Sequence, residues 1–413
     1  MKAFRLLMLI FAAILSTIDI NAQRTPLLNS YPLAPATVYL DFDGQYVAGT
    51  IWNHNGPIDA TPANLSVNDI TEIFKRIAED YHPFNINITT DSAVYNKAPV
   101  LQRIRIIFTS TSDWYNNSAG VSCVGSFTWG DDTPGWVFSN LLGNNPKFVA
   151  ACASHEIGHT LGLQHQSLYT RGGRKITEYN GGSSMSESGW APIMGVGYYK
   201  NCTIWQAGTS TAGCDSIQSD LEVIAGDRNH FGFRPDDYGD NHPKAGSINI
   251  FGQNFSIKGM INHAHDKDAF RINFKSENEL RLSFVPNSII QNETNIKISL
   301  LNANADTIAR YEKPKLLYEG IDIMLDSGTY YFIIEEKGND SSSNYVAPRF
   351  YAFSGLLIPA GDFKQLALQR AAQINPFLVI QAIDDNRKLP LDASCSEHMF
   401  RTSINLQENI IKQ

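Results

Sequence analysis

An eleven-residue segment, HEIGHTLGLQH, constrains this chain more than any other feature of its sequence. His155 and His159 are four residues apart, so on a helix they lie on one face and reach a common point. Gly162 can adopt the left-handed conformation that ends a helix and turns the chain sharply. That turn brings His165 towards the same point. The segment therefore predicts a helix over residues 147–161, followed at once by a third histidine.

Three histidines at this spacing predict a catalytic zinc site. They leave the fourth tetrahedral position of the ion open, as in catalytic rather than structural zinc. Zinc lowers the pKa of its bound water towards ~7, and Glu156, beside the first ligand, is predicted to be the general base. For His155 and His159 alone, two exposed or capped side chains would be the simpler reading. The glutamate, the glycine and the third histidine argue against it.

The motif H-E-x-x-H-x-x-G-x-x-H is the zinc signature of the metzincin clan of metallopeptidases, which this chain resembles over about residues 36–232. The segments YLDFDG and GWAPIMGVGYY are similar to those of bacterial metzincins. Gln166, after the third histidine, matches none of the common subfamilies, so the subfamily stays open. The resemblance implies a zinc-dependent endopeptidase with the ligands and base named above.

The clan also has a buried methionine in a turn beneath the metal. Met194 in APIMG fits this role, with Met185 as a rival flanked by serines and a glutamate. Some members carry a tyrosine two residues after that methionine, which contacts the zinc or the reacting oxygen. Val196 occupies this position here. Tyr198 and Tyr199 follow closely and are the candidates for the role, with ordinary packing as the favoured alternative.

Helices and strands alternate through the first half of the chain, which predicts an α/β (α+β) domain with a mixed twisted sheet over residues 24–235. Ser66 is a predicted N-cap, because the apolar residues after it recur at helical spacing. FNINITT alternates as a half-buried strand does. The predicted strands are 37–43, 84–90 and 104–109, and the predicted helices are 66–81, 147–161 and 219–225.

Two further expectations concern the segment before the zinc helix. In the clan, an edge strand binds the substrate as an added antiparallel strand. Residues 121–129 are the candidate, with Trp129 or Trp136 near the substrate. Asp131 and Asp132 lie in the adjoining loop, where a structural calcium ion can bind, although a solvated turn is favoured.

A second domain is predicted over residues 236–360, after the linker-like segment RPDDYG. Short alternating segments separated by turn residues predict an all-β sandwich. DKDAFRI and LDSGTYY resemble segments of bacterial pre-peptidase C-terminal domains. The tail, residues 361–413, begins with a predicted helix over 363–372 and has no clear fold.

A second metal site in this domain is a weaker hypothesis. The candidate ligands are close together in the sequence: His263, His265, Asp266 and Asp268. A polar turn before a strand is the favoured interpretation.

Residues 1–23 have a basic start, an apolar run and a polar exit region, which predicts a secretory signal peptide and hence a secreted, periplasmic or cell-surface protein. No segment approaches the ~20 apolar residues of a transmembrane helix. The net charge of −8 and the pI of about 5.7 argue against nucleic-acid partners. A protein or peptide substrate and a monomeric state are expected. The alternative function is an adhesin whose zinc domain is vestigial; the intact Glu156 argues against it.

Export also permits disulfide bonds among the five cysteines. Cys202 with Cys214, and Cys123 with Cys152, are the predicted pairs, although sequence alone does not determine connectivity. Cys395 would then be unpaired. The absence of C-x-x-C spacing argues against a thiolate zinc knuckle.

Overall fold

A computed structural model describes residues 25–183, 189–261, 266–284, 296–311, 321–336 and 349–360. Some predicted features lie outside these ranges: the signal peptide, Met185, His263, His265, the helix at 363–372 and Cys395.

Up to residue 235 the described chain is a mixed α/β structure. Its helices are α1 (Val67–Asp80), α2 (Ser92–Lys97), α3 (Pro146–Thr160) and α4 (Asp220–Ala225). Its strands are β1 (Ala36–Asp41), β2 (Gln45–Val47), β3 (Ile58–Ala60), β4 (Ile86–Thr89), β5 (Arg103–Thr109), β6 (Gly120–Val121), β7 (Gly135–Phe138), β8 (Leu168–Tyr169), β9 (Lys175–Thr177), β10 (Trp190–Pro192), β11 (Cys202–Ile204), β12 (Ala207–Thr209) and β13 (Ile217–Ser219).

A five-stranded sheet in the order β4-β1-β5-β7-β6 organises this part of the chain. β1 pairs in parallel with β4 and β5, and β5 pairs in parallel with β7. β6 pairs antiparallel with β7 at one edge. The predicted mixed sheet is therefore confirmed, and its antiparallel edge strand belongs to the segment that precedes α3.

The predicted helix at residues 66–81 is confirmed as α1, with Ser66 as its N-cap. The Ser66 hydroxyl accepts a hydrogen bond from the Asp69 amide at 3.1 Å, and the Asp69 carboxylate accepts one from the Ser66 amide. Such a capping box stabilises a helix by about 1 kcal/mol. Ile70, Ile73 and Ile77 are fully buried on the apolar face. α1 packs against α3, so the end of α1 lies beside the predicted zinc helix.

The edge strand is shorter than the predicted segment 121–129. β6 covers only Gly120–Val121, and Ser126–Thr128 form a 3₁₀ helix. Gly125, at a φ of +77°, turns the chain inward, and its amide donates a hydrogen bond to the carbonyl of His159. This part of the prediction was wrong because a contact with α3, which the local pattern does not reveal, ends the strand.

Beyond residue 245 the described chain is β-rich and sandwich-like. Its strands are β14 (Gly246–Ser247), β15 (Asn254–Ile261), β16 (Lys267–Phe274), β17 (Asn278–Phe284), β18 (Ile296–Leu301), β19 (Thr307–Tyr311), β20 (Ile321–Leu325), β21 (Gly328–Glu336) and β22 (Arg349–Pro359). They form one sheet in the order β14-β16-β21-β18-β19 and another in the order β15-β22-β17-β20. One buried cluster draws Phe270 and Phe332 from the first sheet and Phe255 and Phe353 from the second.

Neither predicted disulfide is formed, because Cys123, Cys152 and Cys214 are all outside disulfide bonds. Cys152 is buried within α3 and hydrogen-bonds with Tyr198. The Cys214 sulfur lies next to Gly173. The surroundings of Cys152 and Cys214 therefore come from the tertiary structure, which the sequence spacing did not show.

The distribution of tryptophan is uneven. All six tryptophans lie between residues 52 and 205, and none lies in the sandwich-like part. Trp136 and Trp205 are fully buried. Among the described residues, no helix has both the length and the apolarity needed to cross a membrane.

Candidate metal centre and cleft

Helix α3 positions the first two histidines. Asn145 caps it by accepting hydrogen bonds from the amides of Lys147 and Phe148, and proline occupies its first turn, where a missing N–H costs nothing. At the other end Gly162 has a φ of +106°, the left-handed conformation predicted for it. The helix therefore ends at Thr160, directly after His159.

The structure brings the three predicted ligands together. The His155 and His159 ring centroids are 4.7 Å apart, and the His165 ring lies 5.3 Å and 4.8 Å from them. One ligand nitrogen from each ring lies within 4.8 Å of the other two. The turn at Gly162 thus places His165 where the spacing predicted.

Each histidine is oriented by a hydrogen bond on the Nδ1 side. His155 Nδ1 donates to the Ile193 carbonyl at 2.8 Å, and His159 Nδ1 donates to the Leu163 carbonyl at 2.7 Å. His165 Nδ1 donates to Glu178 Oε1 at 2.7 Å. Because each acceptor is an oxygen, Nδ1 carries the proton and the Nε2 lone pair is available to a metal.

Burial also favours neutral rings. It lowers the pKa of His155 well below its usual range and that of His159 to about 4. A neighbouring histidine lowers each of these pKa values further. Three imidazole nitrogens with fixed orientation are a donor set that suits zinc. The residues present therefore fit the predicted ion.

Glu156 is 6% exposed and lies beside the edge strand. The Ser122 hydroxyl is 2.6 Å from Glu156 Oε2 and 2.8 Å from the Glu156 carbonyl oxygen. Burial raises the pKa of Glu156 to about 8, against the opposing effect of the Ser122 hydrogen bond. A carboxylate with such a pKa can both take up and release a proton near neutral pH.

Gly120 makes room for this carboxylate. A Cβ at position 120 would lie 2.8 Å from Glu156 Oε1 and 2.7 Å from the Cys152 sulfur. A larger residue would therefore have to displace the Glu156 or Cys152 side chain. β6 therefore passes in direct contact with Glu156. Ser122 and Gly120 were not identified from the sequence, because neither belongs to a motif.

Met194 is fully buried against α3. A Cβ at Gly158 would lie 2.6 Å from the Met194 sulfur, so the sulfur packs directly on the helix between the two helical histidines. The preceding residue, Ile193, supplies the carbonyl that orients His155. This is the position predicted for a methionine beneath the metal.

The predicted tyrosines are placed differently from each other. Tyr198 lines the cleft but packs on Phe148 and hydrogen-bonds with Cys152. Tyr199 is 72% exposed and also packs on Phe148. Tyr179 is the tyrosine beside the histidines: its ring centroid lies 4.4 Å from that of His165. The zinc motif does not identify Tyr179, because the chain between His165 and Tyr179 lies outside that motif.

The two tryptophans predicted to lie near the substrate differ in their exposure. Trp136 is fully buried within β7, so it is closed to a substrate, and this part of the prediction was wrong. All four residues of β7 are buried, and Trp136 packs in a core cluster with Ile107 and Phe138. Trp129 is 42% exposed at the end of the 3₁₀ helix.

The sequence analysis did not identify Glu178 as a residue of the site. Although partial burial opposes ionisation, hydrogen bonds from Lys175, Thr211 and His165 lower the pKa of Glu178 to about 2. The carboxylate is therefore ionised when it accepts the His165 Nδ1 proton.

We expect Glu178→Gln to weaken zinc binding by ~10–100-fold, because a neutral amide orients His165 less firmly and makes it less basic. Competition with a chromophoric chelator measures the affinity. Glu222→Gln, which changes an exposed carboxylate on α4, is the matched control. An unchanged zinc dissociation constant in Glu178→Gln would show that this hydrogen bond has no effect on the metal.

The predicted calcium loop has other partners. Asp132 pairs with Arg103 at 2.9 Å and accepts a hydrogen bond from Tyr95. Asp131 accepts one from the Thr133 amide. These contacts are those of a structured turn.

In the second part of the chain, carboxylate oxygens of three aspartates lie within 4.8 Å of one another: Asp236, Asp266 and Asp268. Burial raises the pKa of Asp268 to about 8, and the neighbouring aspartates raise it further against the hydrogen bond from Tyr351. Asp266 and Asp268 belonged to the weaker metal hypothesis. The two histidines of that hypothesis lie outside the described residues.

Comparisons with known proteins add little to this geometry. No family model matches the chain, and no curated protein matches it. The pre-peptidase C-terminal domain of a Bacillus anthracis collagenase is 15% identical, covering 30% of this chain and 97% of that one, with a TM-score of 0.20. PliG, a periplasmic inhibitor of g-type lysozyme, is similar at the same TM-score. The Aeromonas hydrophila protein is 12% identical over 27% of this chain and 95% of its own. The Salmonella Typhimurium protein is 16% identical over 28% and 99%. Likenesses this weak carry no argument about activity.

Proposed function

We propose that this chain is a zinc-dependent endopeptidase. One observation carries the proposal: three histidines with oriented rings converge beside a buried carboxylate at the edge of a sheet. A zinc ion held by His155, His159 and His165 would supply a Lewis acid for the scissile carbonyl and for water. A vestigial site has no chemical need for the carboxylate, so the geometry favours an enzyme over an adhesin.

Glu156 supplies the proton transfer. Its Oε2 is held by Ser122, which aims the carboxylate along the cleft. There it takes a proton from water as the water attacks the carbonyl carbon, and then donates that proton to the leaving amine. Burial raises the pKa of Glu156, which makes its carboxylate a stronger proton acceptor, and the Ser122 hydrogen bond opposes this effect. Ser122 keeps the carboxylate in place through the cycle.

The edge strand favours peptides over other hydrolysable substrates. β6 pairs with β7 on one side only, at the end of the sheet order. An extended peptide can add to such an edge through main-chain hydrogen bonds. Because Gly120 lies in contact with Glu156, a peptide on this edge would pass the carboxylate.

The finer family assignment is part of the proposal. The zinc motif, the buried Met194 against the zinc helix and the antiparallel edge strand support a metzincin-type catalytic domain. The segments DKDAFRI and LDSGTYY support a pre-peptidase C-terminal-like sandwich behind it. The composition of residues 1–23 supports export.

Purified protein incubated with denatured casein tests the function. We expect cleavage at internal bonds, near one zinc per chain, loss of cleavage on chelation and recovery when zinc is restored. Mass spectrometry of the products distinguishes internal cleavage from removal of terminal residues. A protein that holds zinc and cuts no peptide would refute the peptidase proposal and favour a binding role. A protein that holds no zinc would refute the ligand assignment.

A further inference from the structure

We propose that the cavity beside Glu156 is a specificity pocket that accepts a lysine or arginine side chain of the substrate, with Asp80 as the group that selects it. The inference rests on the proposed peptidase function and names its substrate class: peptides cut next to a basic residue.

One continuous cavity connects the metal centre to Asp80. Its volume is about 240 Å³, far above the ~10–15 Å³ that one water needs by the same measure. His155, Glu156 and Tyr179 line it, and so do Asp80, Ser154 and Thr203. A long side chain that enters beside the scissile bond therefore reaches Asp80.

Small residues create the space. Ala151 lies one helical turn before His155 on the same face of α3, so the cavity runs along the helix towards its N-terminus. Gly197 lies on the opposite wall, where a Cβ would meet the Thr203 side chain at 2.5 Å. A larger residue at either position would narrow the cavity between the metal centre and Asp80.

Asp80 is held firmly at the end of α1. The Ser154 hydroxyl donates to Asp80 Oδ2 at 2.6 Å. Trp205 Nε1 donates to the Asp80 carbonyl at 2.6 Å, and the Tyr81 hydroxyl donates to the Ser154 carbonyl at 2.8 Å. The carboxylate is therefore fixed by the core rather than by a mobile loop.

The charges along the cavity favour a cation. Among the described residues, its lining includes the carboxyl groups of Asp80 and Glu156 and no lysine or arginine. Arg76, one turn before Asp80 on α1, is paired with Glu72 at 2.8 Å.

A smaller cavity continues beyond Asp80, and its lining adds three basic residues: Arg76, Lys147 and Lys200. Asp80 lines both cavities, together with Ala151, Gly197 and Thr203, so its carboxylate stands where the two meet. Burial raises the pKa of Asp80 to about 7, although the Ser154 hydrogen bond and Arg76 oppose this. A bound ammonium or guanidinium would therefore stabilise the ionised form.

The cleavage profile of the full-length wild type on a peptide library, read by mass spectrometry, tests the pocket. We expect lysine and arginine to be enriched at one fixed position relative to the cut. In a synthetic substrate, kcat/KM with lysine at that position should exceed that with norleucine by about 10–100-fold, as expected for a hydrogen bond to a charged group. Asp80→Asn should bring this ratio close to one.

Glu79→Gln is the matched control, because it removes the neighbouring carboxylate on α1, which does not line the cavity. The ratio should stay at the wild-type value in this variant. A wild type that cuts with no preference for basic residues overturns the pocket and leaves the peptidase intact, and this result does not depend on whether Asp80→Asn folds. A preference that survives in Asp80→Asn also overturns it. A zinc-loaded wild type that cuts nothing overturns the proposed function and the pocket together.

Discussion

Glu156→Gln is expected to lower kcat/KM for peptide hydrolysis by about 10²–10⁴-fold while the zinc content stays near one. Glutamine has the same shape but cannot take a proton from water. Ser122 can still donate to its side-chain oxygen, so the local packing should persist. Because burial already penalises the ionised glutamate, a neutral amide at this site should not destabilise the fold. A fluorogenic peptide and atomic absorption provide the two measurements.

Ser122→Ala is the informative comparison for this variant. It removes the hydrogen bond that holds Glu156 Oε2 but leaves the base in place, so its loss in kcat/KM should be smaller. Wild-type turnover in Glu156→Gln would eliminate Glu156 as the base. Loss of zinc from that variant would instead point to a structural role for the carboxylate.

His159→Ala is expected to abolish both stoichiometric zinc binding and peptide hydrolysis. His159 is one of three proposed ligands, and its ring is buried between the other two, so no exposed side chain can replace it easily. Losing a residue that only hydrogen-bonds to a ligand typically lowers metal affinity by ~10–100-fold. Removing a ligand itself should lower the zinc affinity by more than this. The zinc dissociation constant and kcat/KM, measured at saturating zinc, test the two effects separately.

His54→Ala serves as the control, since His54 is exposed and distant in sequence from the motif. It should leave zinc content and turnover unchanged. Circular dichroism checks that His159→Ala has kept its secondary structure. Full zinc occupancy in a folded His159→Ala protein would contradict the ligand assignment.

Local patterns predicted the parts of the fold that local interactions determine. One short segment of sequence determines the Ser66 cap and the apolar face of α1, and both were found where expected. The histidine spacing and the glycine stop are likewise local, so the convergence of the three rings could be anticipated. For most of these elements, the observed boundaries differ from the predicted ones by one or two residues.

Contacts between distant segments could not be predicted from the sequence. Glu178 and Tyr179 reach His165 from a loop, and Ser122 reaches Glu156 across 34 positions. Asp80 reaches the cavity from a different helix. Each is a polar or aromatic residue with no distinctive neighbours in the chain, and only the tertiary arrangement gives it a role. The shortened edge strand and the unformed disulfides have the same origin.

The uneven placement of tryptophan has an experimental consequence. Intrinsic emission excited at the red edge of the absorption band reports on residues 52–205 alone, because the sandwich-like part has no tryptophan. Trp205 lies in the core beside Tyr81 and donates a hydrogen bond to the Asp80 carbonyl. Its emission should therefore change when the packing around Asp80 is disrupted. Far-ultraviolet circular dichroism, by contrast, sees every strand. Denaturation followed by both signals in one intact chain can therefore show whether the two parts unfold together or separately, without any truncation.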